Sequence, residues 1–126
     1  HSPRRPGAST MTSRGAEKLP STYVEGFHDL ESVRRMEYRS LGSTGYTVSC
    51  LGFGASALGG VFHDVKDEEC IEVVHTALKK GVNVIDSAPW YGQGKSELML
   101  GKALKGVPRQ AYMLNTKVGR YEQAVE

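Results

Sequence analysis

The chain predicts an α/β fold built on a parallel sheet. Short apolar runs alternate with amphipathic helical stretches from residue 48 onward. The connections between them are short and punctuated by glycine and proline. The strand runs are near-continuously apolar rather than alternating, as befits strands covered on both faces. Regular alternation of this kind favours parallel neighbours joined by right-handed crossovers.

Residues 1–35 precede the pattern. They are rich in Pro, Ser, Gly and Arg and hold few large apolar side chains. Such a stretch cannot offset its ordering entropy by burial, so it is expected to be a disordered leader or linker. Within it, residues 27–35 are the best candidate for a short helix. The chain begins with His1, and Met11 and Met36 are candidate starts. Residues 36–126 are expected to be the folded part.

Residues 38–41 and 46–48 flank Gly42-Ser43-Thr44-Gly45, β-formers around a glycine-bounded turn, which predicts a hairpin. Residues 48–54 follow as a short buried strand that enters the small-residue loop 55–60. A helix comes next. Asp67 is the expected N-cap, Glu68 and Glu69 favour the positive helix start, and Ile71, Val74, Ala77 and Leu78 share one face. Lys79 and Lys80 suit its C-terminus and Gly81 stops it. A strand over 82–86 follows at once. In the next cycle Ser96 is the expected cap, Leu98, Met99, Ala103 and Leu104 form the stripe, and Gly106 and Pro108 end the helix. A strand over 112–117 completes the order: hairpin, then β-α-β-α-β.

Composition narrows the function. A net charge of +2 on 126 residues, with the basic residues scattered, does not argue for nucleic acid. No apolar run approaches the roughly 20 residues of a membrane span, and the N-terminal residues hold no signal-type apolar stretch. Cys50 and Cys70 lack metal-type spacing and are expected to be reduced thiols of a cytoplasmic protein.

Two architectures suit the element order. A doubly wound dinucleotide-binding sheet needs a glycine-rich loop after its first strand, but Gly52-Phe53-Gly54 is followed by Ala57 where a third glycine belongs. Tyr91 and Lys95 have the Tyr-x-x-x-Lys spacing of short-chain dehydrogenases. That chemistry needs both residues on one helix, and Gly92 and Gly94 oppose a helix there by about 1 kcal/mol each. In a (β/α)8 TIM barrel, chemistry collects at the C-terminal strand ends. One strand ends at Gly54-Ala55-Ser56, the next at Asp86 with Tyr91 five residues on, and the third at Lys117. That coincidence favours a barrel.

Asp, Tyr and Lys on one rim make a proton-transfer site. Ionising an ordinary phenol at pH 7 costs roughly 4 kcal/mol. An ammonium about 4 Å away stabilises a phenolate by a similar order at an effective dielectric near 20. A carboxylate holds that ammonium in place and charged. Trp90 is a candidate pocket wall. Gly54, Ala55 and Ser56 are small enough to admit a flat ring close to the backbone. Arg120 is a further candidate to touch substrate or phosphate.

The segments Gly81-Val82-Asn83-Val84-Ile85-Asp86-Ser87-Ala88-Pro89-Trp90-Tyr91-Gly92, Ser96-Glu97-Leu98-Met99-Leu100-Gly101-Lys102-Ala103-Leu104 and Thr116-Lys117 resemble the N-terminal part of the aldo-keto reductase family. Phe53-Gly54-Ala55-Ser56, Leu58-Gly59, Val61-Phe62 and Lys117-Val118-Gly119-Arg120-Tyr121 are similar to its L-galactose dehydrogenase-like branch. The resemblance spans residues 36–121. It implies the N-terminal portion of a (β/α)8 barrel, truncated, and reversible hydride transfer between NAD or NADP and a small carbonyl or sugar substrate.

The family's catalytic Asp, Tyr and Lys would be Asp86, Tyr91 and Lys117. Its His would follow the next strand, beyond Glu126, with neither His63 nor His75 in its place. Gly54, Ala55, Ser56 and Asp86 would meet the cofactor, and Trp90 and Tyr91 the substrate. Since such a barrel takes about 250 residues, this chain by itself is expected to leave sheet edges open and to be inactive. A non-catalytic barrel used as a binding or regulatory subunit is the alternative.

Overall fold

The computed structural model describes residues 18–121, so expectations for residues 1–17 and 122–126 lie outside the described residues. Helix α1 (Leu30–Arg35) leads into the antiparallel hairpin β1 (Tyr38–Ser40) and β2 (Thr47–Ser49). Strand β3 (Phe53–Gly54) and a 3-10 turn (Ala55–Gly59) precede α2 (Asp67–Lys79). Then come β4 (Val84–Asp86), α3 (Lys95–Ala103), a second 3-10 turn (Arg109–Ala111) and β5 (Met113–Asn115). Strands β3, β4 and β5 lie side by side and parallel, with Gly54 beside Asp86 and Asp86 beside Asn115. The hairpin followed by β-α-β-α-β is therefore present, as an open three-stranded sheet.

The core lies between the sheet and helices α2 and α3. Ile85 at the centre of β4 is fully buried, against Val74 and Leu78 of α2, Leu100 and Ala103 of α3, and Ala55. Each large aliphatic side chain so buried contributes about 1.5–3 kcal/mol. Helix α2 buries Cys70, Val74 and Leu78, spaced four apart; of the expected face Val74 and Leu78 are buried, while Ile71 and Ala77 are half-buried at its flank.

Four local readings change. Residues 18–35, expected to be a disordered leader, are packed in place. Val33 of α1 is 2% exposed, and the Asp29 amide donates to Lys79 O at the end of α2 at 2.8 Å. Val33, with Val24 and Phe27 packed against the core, one backbone bond to α2 and side-chain bonds from Asn83 and Gln110 order a stretch whose composition is poor.

The strand expected over 48–54 is two strands. Its first half pairs with β1, and the chain must turn at Cys50 and Leu51, both exposed, before Phe53 enters the other sheet. Asp67 is the first residue of α2 rather than its cap, and its carboxylate pairs with Lys102 Nζ at 2.6 Å. Helix α3 starts at Lys95 behind Gly94. Its buried face is Ser96, Met99, Leu100 and Ala103, while Leu98 is 72% exposed. The face is rotated from the expected stripe because Ser96 points inward.

Asn83 joins three parts of the molecule just before β4. Its side chain is 1% exposed. Its Oδ1 accepts the Ser49 amide at 2.8 Å, and its Nδ2 donates to Thr47 O and Thr22 Oγ1, each at 3.0 Å. The hairpin and the N-terminal segment are thereby fixed to the sheet. Asn83→Leu keeps the volume but leaves those buried partners unsatisfied. We expect a loss of about 3 kcal/mol, seen as a lower urea midpoint at unchanged slope. A loss under about 1 kcal/mol would contradict this account.

Candidate active site

The C-terminal ends of β3, β4 and β5 present Gly54, Asp86 and Asn115 in one row. Lys117, two residues past β5, folds back over the row. Its ammonium donates to both carboxylate oxygens of Asp86, at 2.8 and 3.0 Å, and to Ser87 O at 2.9 Å. Asn115 Nδ2 donates to Asp86 Oδ1 at 2.6 Å. The same ammonium lies 5.0 Å from the centroid of the Tyr91 ring. Asp86, Tyr91 and Lys117 thus meet on one side of the sheet, at a half-exposed site.

The electrostatics follow from these contacts. The Lys117 hydrogen bond, assisted by Asn115, holds the Asp86 carboxyl below its ordinary range, against the opposing effect of desolvation. Asp86 is the chief cause that raises Lys117, with the Tyr91 hydroxyl a lesser one. A depressed carboxyl contributes stability above its unfolded pKa and loses it as pH falls through the folded value, so this contribution fades below about pH 4. The raised lysine contributes below its unfolded pKa and fades as pH climbs past about 10.4. The pair is intact across the range between. Asn115→Ala should move the Asp86 titration midpoint upward, read by carboxylate NMR. An unmoved midpoint would show that Asn115 does not tune the pair.

The loop that carries Tyr91 is held by close backbone packing. Gly92, Gln93 and Gly94 are all left-handed, with φ of 61°, 53° and 89°. Gly92 lies against Gly59 so closely that a Cβ at Gly92 would fall 2.3 Å from Gly59 O. Beneath them Ser96, fully buried, donates to Ala55 O at 2.7 Å and meets Ser87 Oγ at 3.2 Å. Ser96 therefore ties α3 to the ends of β3 and β4 instead of capping the helix. On the other flank Thr116 donates to Glu97 Oε1 at 2.6 Å.

The remaining candidates divide. Trp90 sits at the mouth, 37% exposed, with the Arg120 guanidinium 4.0 Å from its ring. Gly54 adjoins Asp86, and the space its Cβ would take is open, so a flat ring is admitted there. Ser56 is half-buried beside it. Ala55, expected at the cofactor, is 0% exposed and seats α3, so it offers no surface to a ligand. His75 bonds Ala103 O at 2.6 Å on α2, and His63 lies on the exposed loop before that helix. Lys95 opens α3 while Tyr91 lies in the preceding turn, so the two do not share a helix. Asn115 and the Gly59–Gly92 contact were not singled out by sequence reasoning, and Ser96 was read only as a helix cap.

Among the described residues no group of His, Cys, Asp and Glu is arranged to hold a metal ion, and no helix is long and apolar enough to cross a membrane. Cys50 and Cys70 are both free.

The profile of the Aldo/keto reductase family matches residues 50–126. An L-galactose dehydrogenase of Arabidopsis thaliana is 46% identical over 94 residues, which is 73% of this chain and 30% of that protein. A pyridoxal 4-dehydrogenase of Microbacterium luteolum is 39% identical over 88 residues, 70% of this chain and 25% of its own length. The chain thus spans under a third of the curated relatives it matches.

Among solved structures, an aldo-keto reductase from Bacillus halodurans in its holo form superposes with a TM-score of 0.61 at 41% identity. The match covers 72% of this chain and 29% of that one. A putative aldo-keto reductase from Pseudomonas aeruginosa gives 0.60 at 35% identity, covering 79% and 35%. These neighbours are (β/α)8 barrels, and the open sheet described above corresponds to one part of such a barrel. By profile, identity and superposition alike, this chain belongs to the aldo/keto reductase family.

Proposed function

We propose that the protein is an NAD- or NADP-dependent oxidoreductase acting on a small carbonyl compound or sugar hemiacetal. The observation that carries the reading is a single ammonium, Lys117, bonded to the Asp86 carboxylate and set 5.0 Å from the Tyr91 ring at the strand ends. A nicotinamide supplies or accepts the hydride when bound. Gly54, Ser56 and Asp86 are the residues that would meet it. Tyr91 gives a proton to the substrate oxygen as the carbon is reduced, and takes one from the alcohol in the opposite direction. Lys117 favours the ionised phenol by its charge, and Asp86 with Ser87 O fixes where that charge sits.

The sugar side of the proposal rests on the L-galactose dehydrogenase relative. The two free cysteines suit a cytoplasmic setting. The test is nicotinamide absorbance with both cofactors against a panel of sugars and small aldehydes, using the full-length protein. We expect turnover with at least one member. Silence across the panel, with cofactor bound, would favour the non-catalytic use of the barrel.

A further inference from the structure

The loop after β5 lays two cations on two consecutive aromatics of the loop after β4. Lys117 faces Tyr91, and Arg120, three residues on, covers Trp90 at 4.0 Å. The two cations differ in their electrostatic surroundings. Lys117 is neutralised by Asp86. Arg120 makes no ion pair among the described residues. A guanidinium resting on an indole uses its π-face, so its forked N–H edge remains free to bind. A hollow of about 340 Å³ opens against the same indole, lined in part by Val61, Gln93 and Lys95. Lys95 likewise makes no ion pair among the described residues. Among the described residues the mouth therefore carries two cations, Arg120 and Lys95, that make no ion pair, beside an apolar plate.

We propose that Arg120, seated on Trp90, is a specificity residue that binds an oxyanion, carboxylate or phosphate, of the molecule that occupies the site. The inference deepens the oxidoreductase reading and rests on it for what that molecule is. The oxyanion could belong to the substrate or to the cofactor's pyrophosphate, and both present paired oxygens that suit a bidentate guanidinium. The indole limits the orientations open to Arg120, which lowers the entropy lost on binding.

The experiment is calorimetric titration of the full-length protein with galacturonate, galactose and inorganic pyrophosphate, alone and with oxidised nicotinamide cofactor present. Galacturonate and galactose differ in one carboxylate. We expect one of the two anions to bind at least about tenfold more tightly than galactose. A preference for galacturonate assigns the oxyanion to the substrate, and one for pyrophosphate assigns it to the cofactor. Arg120→Gln should abolish the preference without changing the thermal midpoint, and Arg120→Lys should restore it only in part.

Equal binding of all three probes, or an anion preference that survives Arg120→Gln, overturns the proposal. The readout is binding, not turnover. A protein that bound the anion through Arg120 yet never moved a hydride would sink the oxidoreductase reading and leave the anion site standing. The opposite result would do the reverse.

Discussion

Tyr91→Phe is expected to abolish hydride transfer in the full-length protein while leaving cofactor affinity unchanged. Under the proposed role, the substitution removes one oxygen and the proton it carries. The aromatic face toward Lys117 stays, and the direct bonds between Asp86 and Lys117, the chief influence on the lysine, remain. General acid–base catalysis contributes about 10²- to 10⁴-fold, so kcat/KM should fall by that factor, about 3–5 kcal/mol of barrier. The thermal midpoint should hold, which separates lost chemistry from lost structure. Turnover within tenfold of the parent would show that the proton comes from elsewhere.

The second large effect is structural. Gly92→Ala should cost about 3 kcal/mol or more and degrade activity with it. The new Cβ would fall 2.3 Å from Gly59 O and 2.7 Å from Gly59 Cα, at a residue whose φ is +61°. Both contacts are backbone, so no flexible side-chain end can move aside, and the loop bearing Tyr91 must shift instead. Gly94→Ala is the internal control. Its φ is +89°, but nothing lies within 4 Å of the added carbon. It should lose only the conformational part, about 1 kcal/mol. Equal urea midpoints for the two variants would refute the packing explanation.

Much of the site was legible because strand ends are legible. An apolar run that stops at Asp86, and another followed by Lys117, place two charges on one rim, and the Pro/Gly loop marks where Tyr91 must turn back. The hairpin was equally plain from its glycine-bounded turn. What escaped was polarity used internally. Ser96 looks like a cap because a hydroxyl before an acidic residue usually is one, yet its oxygen serves Ala55 O from inside the helix face. Asn83 hides in an apolar run, since nothing in its neighbours tells that its partners lie 34 and 61 residues away.

Gly92 signals a helix break, which is correct, but its crossing with Gly59 is a long-range fact no local pattern encodes. Ala55 was misplaced because a small residue at a strand end fits equally a bare surface and a tight joint. The N-terminal stretch was misjudged for a related reason. Composition averages over 35 residues, whereas ordering of its last part turns on a few apolar side chains such as Val33 and on single bonds to distant residues.

Asn83 and Asp86 stand on one short run of chain, about 10 Å apart at three residues' rise. The first buckles the hairpin and leading segment to one end of the sheet; the second meets Lys117 at the other. That distance is enough for damage at the two ends to sum rather than compound. A laboratory lineage selected for new substrates has a free hand with the upper loops as long as the buckle is spared, and strengthening the buckle first would widen the range of loops it tolerates.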